Sequence, residues 1–119
     1  MSASDFLSLT YRFFVFYILL SVSFNSRISV TTYLIERSKL LSLSSVFSVL
    51  DWFEREVFDM FGILIKNHLN LTRILNDYGF YGYPLRKDFP LPGLIELFYS
   101  YIHQKILYFP LSLVYSFDK

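Results

Sequence analysis

The chain contains no cysteine. That excludes disulfides, iron–sulfur clusters held by thiolates of this chain, and a cysteine nucleophile. Glycine and proline each occur four times, and alanine once, at Ala3. Charge of one sign is lacking too: the formal net charge is +1, so nothing points to nucleic acid or to an anionic membrane face. Long hydrophobic runs are also missing. Residues 13–22, with Phe24 beyond, lie between Arg12 and Arg27 and fall well short of the roughly 20 apolar residues a spanning helix needs. A second run, residues 106–117, is interrupted by Pro110. No direct membrane span is expected from either. Residues 1–12 carry one Arg and one Asp, unlike an Arg-rich transit peptide. There is no Walker loop, no GxGxxG and no Ser-His-Asp set.

What is present is apolar and aromatic. Hydrophobic residues make up 54% of the 119 positions and aromatics 21%, with 14 Phe and 10 Tyr. One domain of this length cannot enclose that much aromatic surface. The surplus is expected to meet lipid or other proteins. The abundance of Phe, Tyr, Leu, Ile and Ser over Ala and Gly follows AT-rich codons, as in many organelle genomes.

The pattern reads as α+β, an antiparallel sheet with hairpins, a short charged helix and a long turn-rich extended segment. Residues 11–20, aromatic and β-branched, read as a strand buried on both faces. Asn25-Ser26 supplies a turn, and residues 27–34 alternate, with Ile28, Val30, Thr32 and Leu34 on one face. Residues 36–48, rich in Ser and Leu, predict a loop and a short helix. Asp51 and Glu54 have capping-box spacing, and the helix they open should run to about Phe61 and end at Gly62. All four glycines and three of the four prolines then fall within residues 62–93. Residues 94–101 and 105–109 predict a second hairpin about Ile102-His103-Gln104. The expected organisation is a tail over residues 1–10, a core over 11–93 and a hairpin extension over 94–119.

The charges cluster twice. In Glu54-Arg55-Glu56-Val57-Phe58-Asp59, Arg55 lies four residues from both Asp51 and Asp59 and can pair with either. Phe53, Val57, Met60 and Phe61 form the apolar arc, yet Trp52 and Phe58 sit among the charges. Two readings stand for this helix: a solvated face with weak ion pairs, or a wedge between the chain's own core and a second protein. Glu54 and Glu56 point to different faces, so they cannot act together on one bond; Asp59 shares a side with Glu56, but no pocket is implied. His68 lacks metal-ligand spacing to Asp59 and Asp77, and reads as a structural or interface histidine. The second cluster, Arg86-Lys87-Asp88, is bracketed by Pro84 and Pro90, which fix an extended backbone. It is either an exposed polar loop or a rigid strap laid on a partner.

At these two clusters the chain resembles the 30-kDa subunit family of respiratory complex I, also called subunit 9. The run from Glu54 through Arg55, Glu56 and Asp59 to Gly62 resembles the family signature. His68, Arg73-Ile74-Leu75, Asp77-Tyr78-Gly79-Phe80, Gly82 and the segment from Pro84 to Leu91 follow in order at family spacing. Asn25-Ser26-Arg27-Ile28-Ser29-Val30 and Ser44-Ser45-Val46-Phe47 also resemble the stretch upstream. Tyr83 departs from the family's His, Leu69 from its Pro, Thr72 from its Arg, and Phe109 from a common acidic residue. The family also commonly carries a further N-terminal portion, to be supplied here by another chain or replaced within the host complex.

The resemblance implies a non-catalytic structural subunit of NADH:ubiquinone oxidoreductase, in the quinone-reducing module of the matrix arm. It would lie peripherally on the matrix side of the mitochondrial inner membrane and be encoded in the mitochondrion. The implied partners are the 49-kDa subunit and the subunit holding the terminal iron–sulfur cluster. FMN, iron–sulfur clusters and ubiquinone would belong to neighbouring subunits and none to this chain, which would bind no metal and carry no catalytic residue. The residues implied at the partner interface are Glu54, Arg55, Glu56, Asp59, His68, Arg73, Asp77, Arg86, Lys87 and Asp88. The alternatives are a scaffold subunit of a related membrane-bound hydrogenase or dehydrogenase complex, and a small membrane-anchored protein.

Overall fold

The structure is a computed structural model that describes residues 1–110. Strands β1 (Ser2–Asp5), β2 (Phe13–Ser21) and β3 (Ser26–Leu34) form an antiparallel sheet with β2 in the middle. β4 (Lys39–Leu41), helix α1 (Leu50–Phe61) and β5 (Leu64–Lys66) make a β-α-β unit, and β6 (Ile95–Ser100) with β7 (Lys105–Pro110) makes a separate hairpin. The mixed α+β class expected from the sequence is what forms. One pairing departs from the antiparallel expectation: β4 and β5 run parallel. A helix between two short strands returns the chain to the end it left, which is the condition for parallel pairing.

The first ten residues, expected as a tail, supply β1. Its register sets Ala3 opposite Val15 and Asp5 opposite Phe13. β2 is buried only on its inner face and only in its first half. Phe13, Val15 and Tyr17 are buried, Phe14 and Phe16 half-buried, and Ile18, Leu19 and Leu20 exposed. The outer face is instead covered in part by ring contacts of Phe14 with Phe6 and Tyr33, at 4.8 and 4.6 Å between centroids. β3 keeps the predicted alternation, but its inner face is buried only at Leu34, while Ile28 and Val30 stay exposed. The turn falls on residues 22–25, with Asn25 taking a positive φ of 49° that asparagine tolerates better than most residues.

The expected short helix in residues 36–48 is absent from α1's approach, and β4 is there instead. Helix α1 begins one residue before Asp51, with Val49 as an N-cap that makes no side-chain hydrogen bond. The predicted capping box does not form. Asp51 and Glu54 turn to His68 and to Ser42, partners brought in by the tertiary fold. The C-terminus is as predicted: Gly62 adopts φ 72° and its N–H donates to Phe58 O at 2.8 Å.

The core lies between α1 and the two small sheets. Phe13, Val15 and Tyr17 from β2 meet Leu50, Val57 and Phe61 from α1 and Leu40, Ile63 and Ile65 from the parallel pair. The β6–β7 hairpin has the predicted turn at residues 101–104, where Ser100 Oγ accepts the His103 N–H at 3.3 Å. Its side chains are almost all exposed, Leu97, Tyr99, Ile106 and Tyr108 among them. A two-stranded hairpin with both faces in water is marginal alone. The run at residues 106–117 and the extension to residue 119 lie partly outside the described residues, and no helix among those described is long and apolar enough to cross a membrane.

Candidate functional site: a helix held by its own downstream loop

The four last carbonyls of a helix have no intrahelical donor. In α1 each finds one. Phe58 O accepts from Gly62 N–H, and Asp59 O from Arg73 Nη1 at 3.3 Å. Met60 O accepts from Leu85 N–H at 3.0 Å and Phe61 O from Arg86 Nε at 2.6 Å. Two guanidinium groups therefore sit at the negative end of the helix dipole, where cations are favoured. The turn-rich segment, which the sequence offers as a loop or a strap for a partner, is a strap for this helix.

Asp59 organises the cluster. A carboxylate in the last helical turn opposes the dipole and must be compensated locally. Its Oδ2 accepts the backbone N–H groups of Ile74, Leu75 and Asn76 at 3.3, 2.8 and 3.0 Å. Its Oδ1 accepts Arg73 Nη1 at 2.8 Å and Asn76 Nδ2 at 2.7 Å. Burial pushes this carboxyl's pKa up, but the hydrogen bonds from Asn76, Leu75 and Arg73 outweigh it and hold the group below the usual carboxylate range. Three successive N–H groups converging on one oxygen make a backbone anion nest, filled here by the chain's own carboxylate.

Glu54, also without solvent exposure, points the other way. It accepts Ser42 Oγ at 2.7 Å and Leu43 N–H at 2.8 Å, and so fixes β4's exit to the middle of α1. His68, its side chain 1% exposed, reaches Asp51 Oδ1 at 2.9 Å through Nε2. Its Nδ1 accepts the Asn70 N–H at 3.1 Å, which assigns the proton to Nε2. His68 thus ties the start of α1 to the segment after β5. Neither Glu54 nor Asp59 can offer a carboxylate to a partner in this arrangement, because both are turned wholly inward.

Arg55 pairs with neither Asp51 nor Asp59. It donates to Thr72 Oγ1 at 2.9 Å and to Thr72 O at 3.4 Å, and its guanidinium lies 5.0 Å from the centre of the exposed Trp52 ring. The aspartates are already engaged, Asp51 by His68 and Asp59 by Arg73. Glu56 and Asp77 are exposed. Arg73 and Arg86 flank the ring of Tyr83, each 4.9 Å from its centre. Gly82 O takes a further bond from Arg73 Nη2 at 3.0 Å.

A second group of residues, not singled out in the sequence, completes the site. Arg12 grips Asp5 with two parallel bonds, Nε to Oδ1 at 2.7 Å and Nη2 to Oδ2 at 3.0 Å. The same Asp5 Oδ2 accepts the Lys87 N–H at 2.8 Å, and Arg12 also reaches Asp88 Oδ1 at 3.2 Å and Glu36 Oε1 at 3.3 Å. The strap is thereby tied to β1 as well as to α1. Of its charged residues, Arg86 is turned to the helix, Asp88 to Arg12, and the exposed Lys87 contributes its backbone N–H inward. The signal that could have found this pair is a carboxylate and a guanidinium at the two ends of a short connection between strands, each in an otherwise apolar setting. Among the described residues, no group of three or more His, Cys, Asp or Glu has the arrangement of a metal site.

Gly62 is where the strap touches the helix end. A Cβ there would lie 2.7 Å from both the Tyr83 ring and Arg86 Nη2, on a backbone already in the left-handed region. Gly62→Ala is expected to cost at least about 1–2 kcal/mol from the backbone conformation alone, with further loss from displacing Tyr83 and Arg86. The shift in denaturant midpoint, followed by Trp52 fluorescence, measures it. A loss no larger than that backbone cost would mean that the strap does not pack on the helix end, and an unchanged midpoint that residue 62 is not held in the left-handed region.

An α+β domain in which a glutamate and an aspartate of one helix anchor the two segments flanking it is a scaffold of internal ties. The chain belongs to the respiratory-chain NADH dehydrogenase 30 Kd subunit family, whose sequence pattern matches residues 1–94. It is 49% identical over 112 residues to the mitochondrial NADH dehydrogenase (ubiquinone) iron-sulfur protein 3 of Candida albicans, covering 94% of this chain and 40% of that protein. It is 52% identical over 99 residues to NADH-ubiquinone oxidoreductase subunit 9 of Prototheca wickerhamii, covering 83% and 52%. The subunit 9 of Dictyostelium citrinum is 42% identical over 106 residues, covering 89% and 51%. The chain spans about half the length of the curated relatives it matches.

Proposed function

We propose that this chain is a structural subunit of the mitochondrial NADH:ubiquinone oxidoreductase, part of the quinone-reducing module on the matrix side. In this reading it works by holding neighbouring subunits in register, and the chemistry of FMN, iron–sulfur clusters and ubiquinone belongs to those neighbours. The proposed neighbours are the 49-kDa subunit and the subunit with the terminal cluster. Electron transfer and quinone docking tolerate little misplacement, so a rigid spacer has a direct effect on rate.

The observation that carries this reading is where the charged signature residues spend their bonds. Glu54, Asp59, Asp51, Arg73 and Arg86 are consumed in fixing the chain's own shape. Beside the exposed charges of Glu56, Asp77 and Lys87, many large apolar side chains remain outside: Trp52, Val46, Leu69, Tyr78, Tyr101 and Ile102 are all well exposed. A rigid interior under a surface of aromatics and aliphatics is the arrangement of a subunit made to be covered.

The exposed stack of Trp52 on Arg55 is the most favourable contact point on α1, since Trp and Arg dominate interface energetics. Trp52→Ala, on a tagged chain expressed in mitochondria, is expected to reduce several-fold the fraction that co-migrates with NADH dehydrogenase activity on a native gel. Its proteolytic resistance should stay that of the unaltered chain, because Trp52 is not a core residue. Wild-type chain running apart from that activity would overturn the proposed membership. Full assembly of the variant would remove this face of the helix from the contact.

A further inference from the structure

Each nitrogen of the buried His68 ring is engaged, and the two engagements make opposite demands. Nε2 lies 2.9 Å from Asp51 Oδ1 and 3.6 Å from Glu54 Oε2, acceptors that keep a proton on it. Nδ1 accepts the Asn70 N–H at 3.1 Å and so carries none. The ring is therefore neutral while both bonds stand.

Its charged surroundings favour the other state. Asp51 and Glu54, both from α1, are carboxylates, and a carboxylate beside an imidazole stabilises the imidazolium. Glu54 is held in turn by Ser42 Oγ and the Leu43 N–H, which carry no charge. From β2 comes the Tyr17 hydroxyl, which burial and then the Glu54 charge push up to about 12, so it stays neutral as well. Lys66, at the end of β5, is exposed, and residues 67–71 have no charged side chain. One group stands against the imidazolium. The Asn70 N–H points at the nitrogen that a second proton would occupy, and two donors cannot share that place. This N–H lies at the surface, so water can accept it once Nδ1 no longer does.

The turn closed by this bond shapes the outer side of α1. It presents Leu69, whose side chain is fully exposed, and it leads to Thr72, which holds the Arg55 guanidinium against the Trp52 ring. Beyond it the backbone is fixed separately, by the bonds of residues 74–76 to Asp59.

We propose that His68 is a proton-operated latch on this turn. Neutral, it closes residues 68–70 through Nδ1. Protonated there, it keeps its place beside Asp51 and Glu54 and releases the Asn70 N–H, and with it the position of Leu69 and the support under the Arg55–Trp52 stack. The latched turn excludes a proton that the released turn accepts, so release takes one up and falling pH favours it. The latch is a property of this chain's own turn and stands or falls apart from membership of an oxidoreductase.

The test follows the full chain, labelled with nitrogen-15, by magnetic resonance from about pH 8 to about pH 5, the span in which histidines titrate. His103→Gln, in the exposed hairpin turn, identifies the signals of the other ring. On acidification Nδ1 of His68 should gain a proton while Nε2 keeps its own. In the same step the exchange protection of the Asn70 amide, taken relative to the unfolded chain, should fall by up to about tenfold per pH unit, the limit for one proton. The emission of Trp52 should shift with it. His68→Gln keeps a donor for Asp51 and has no proton to gain, so its Asn70 protection should not change with pH. An Nδ1 that stays unprotonated throughout would overturn the proposal. So would protection and emission that do not follow the ring, or the same pH course in His68→Gln. If that variant does not fold, the ring and amide signals of the unaltered chain decide the matter alone.

Discussion

Replacing Asp59 by Ala is expected to destabilise the domain by about 3–5 kcal/mol, the cost of leaving a buried charge partner and its donors unpaired. Three backbone N–H groups, the Asn76 amide and Arg73 all lose their acceptor at once. Asp59 has no exposed surface, so water does not take its carboxylate's place among these donors while the loop stays closed, though the Arg73 side chain, 23% exposed, keeps some access to water. The domain is expected to respond by opening the segment of residues 67–82 first, before α1 itself melts. Limited proteolysis should then cut within that segment, at a protease concentration that leaves the unaltered chain whole. Asp59→Asn separates charge from shape. It keeps one acceptor oxygen but turns an NH₂ group towards donors, so its loss should be smaller than that of Ala and still at least about 1.5–3 kcal/mol, the worth of a hydrogen bond to a charged group. Asp77→Ala, at an exposed position of the same turn-rich segment, is expected to shift stability by less than about 0.5 kcal/mol. Equal behaviour of the Asp59 and Asp77 variants in denaturant would show that the aspartate is no anchor.

Much of the fold was legible because it depends on local period and turn chemistry. The alternation from Ile28 to Leu34 marks β3, and Gly62 ends α1 where a left-handed φ is needed. The hairpin about residues 101–104 was legible for the same reason. What failed depends on contacts far along the chain. Asp51 and Glu54 have capping-box spacing, but a box is worth about 1 kcal/mol and a fully buried glutamate with two donors outcompetes it. Two-sided burial of β2 rests on composition alone. Apolar residues on both faces say only that both can be covered, and beyond Tyr17 the described residues cover neither. β4 and β5 are three residues each, too short to show any period, so their parallel pairing was invisible.

The candidate site divides in the same way. Glu54, Asp59, His68, Arg73 and Arg86, all singled out in the sequence, meet around one helix, while Asp88 turns to Arg12. Their direction was not legible. A charged residue in a sequence looks the same whether it faces a partner chain or a loop of its own chain 14 or more residues away. Arg55 shows the point. Helical spacing offered it two aspartates, but both are taken by groups outside the helix, and it turns to Thr72. Tyr83, a departure from the family's His, lies between two guanidinium groups, where an aromatic face has its own use.

Acid and mutation should converge on the second anchor, Asp5 with Arg12. Burial pushes the Asp5 carboxyl's pKa up, and the bonds from Arg12 and the Lys87 N–H, with the charges of Arg12 and Arg86, more than reverse it. Arg12 is shifted upward, first by its bond to Asp5, and stays charged throughout. Asp5 and Asp59 thus both hold a proton less tightly in the folded chain than in the unfolded one, where an aspartate titrates at about 3.9. Between that value and the depressed folded ones the unfolded chain binds more protons, so stability falls as pH drops through the window. The stabilisation is complete above about pH 5 and the loss should be seen below about pH 4. Asp5→Leu removes the Asp5 share of this acid sensitivity along with the anchor. Among the described residues it leaves Arg12 the exposed carboxylates of Glu36 and Asp88, and it takes from the Lys87 N–H the Asp5 oxygen to which it donates. The expected cost is about 3–5 kcal/mol. Arg12→Met, which strands the buried carboxylate instead, should cost as much. The double variant Asp5→Leu with Arg12→Met removes both charges and should be more stable than either single variant, because an apolar pair of similar volume replaces a bond whose desolvation was costly. It should not regain the whole loss, since the bond from the Lys87 N–H to Asp5 Oδ2 is still gone. Urea midpoints of the four chains at pH 7 and at pH 3.5 would decide this. A double variant as unstable as the sum of the singles would mean that the two residues act independently, and that the strap is held to β1 by something other than their pairing.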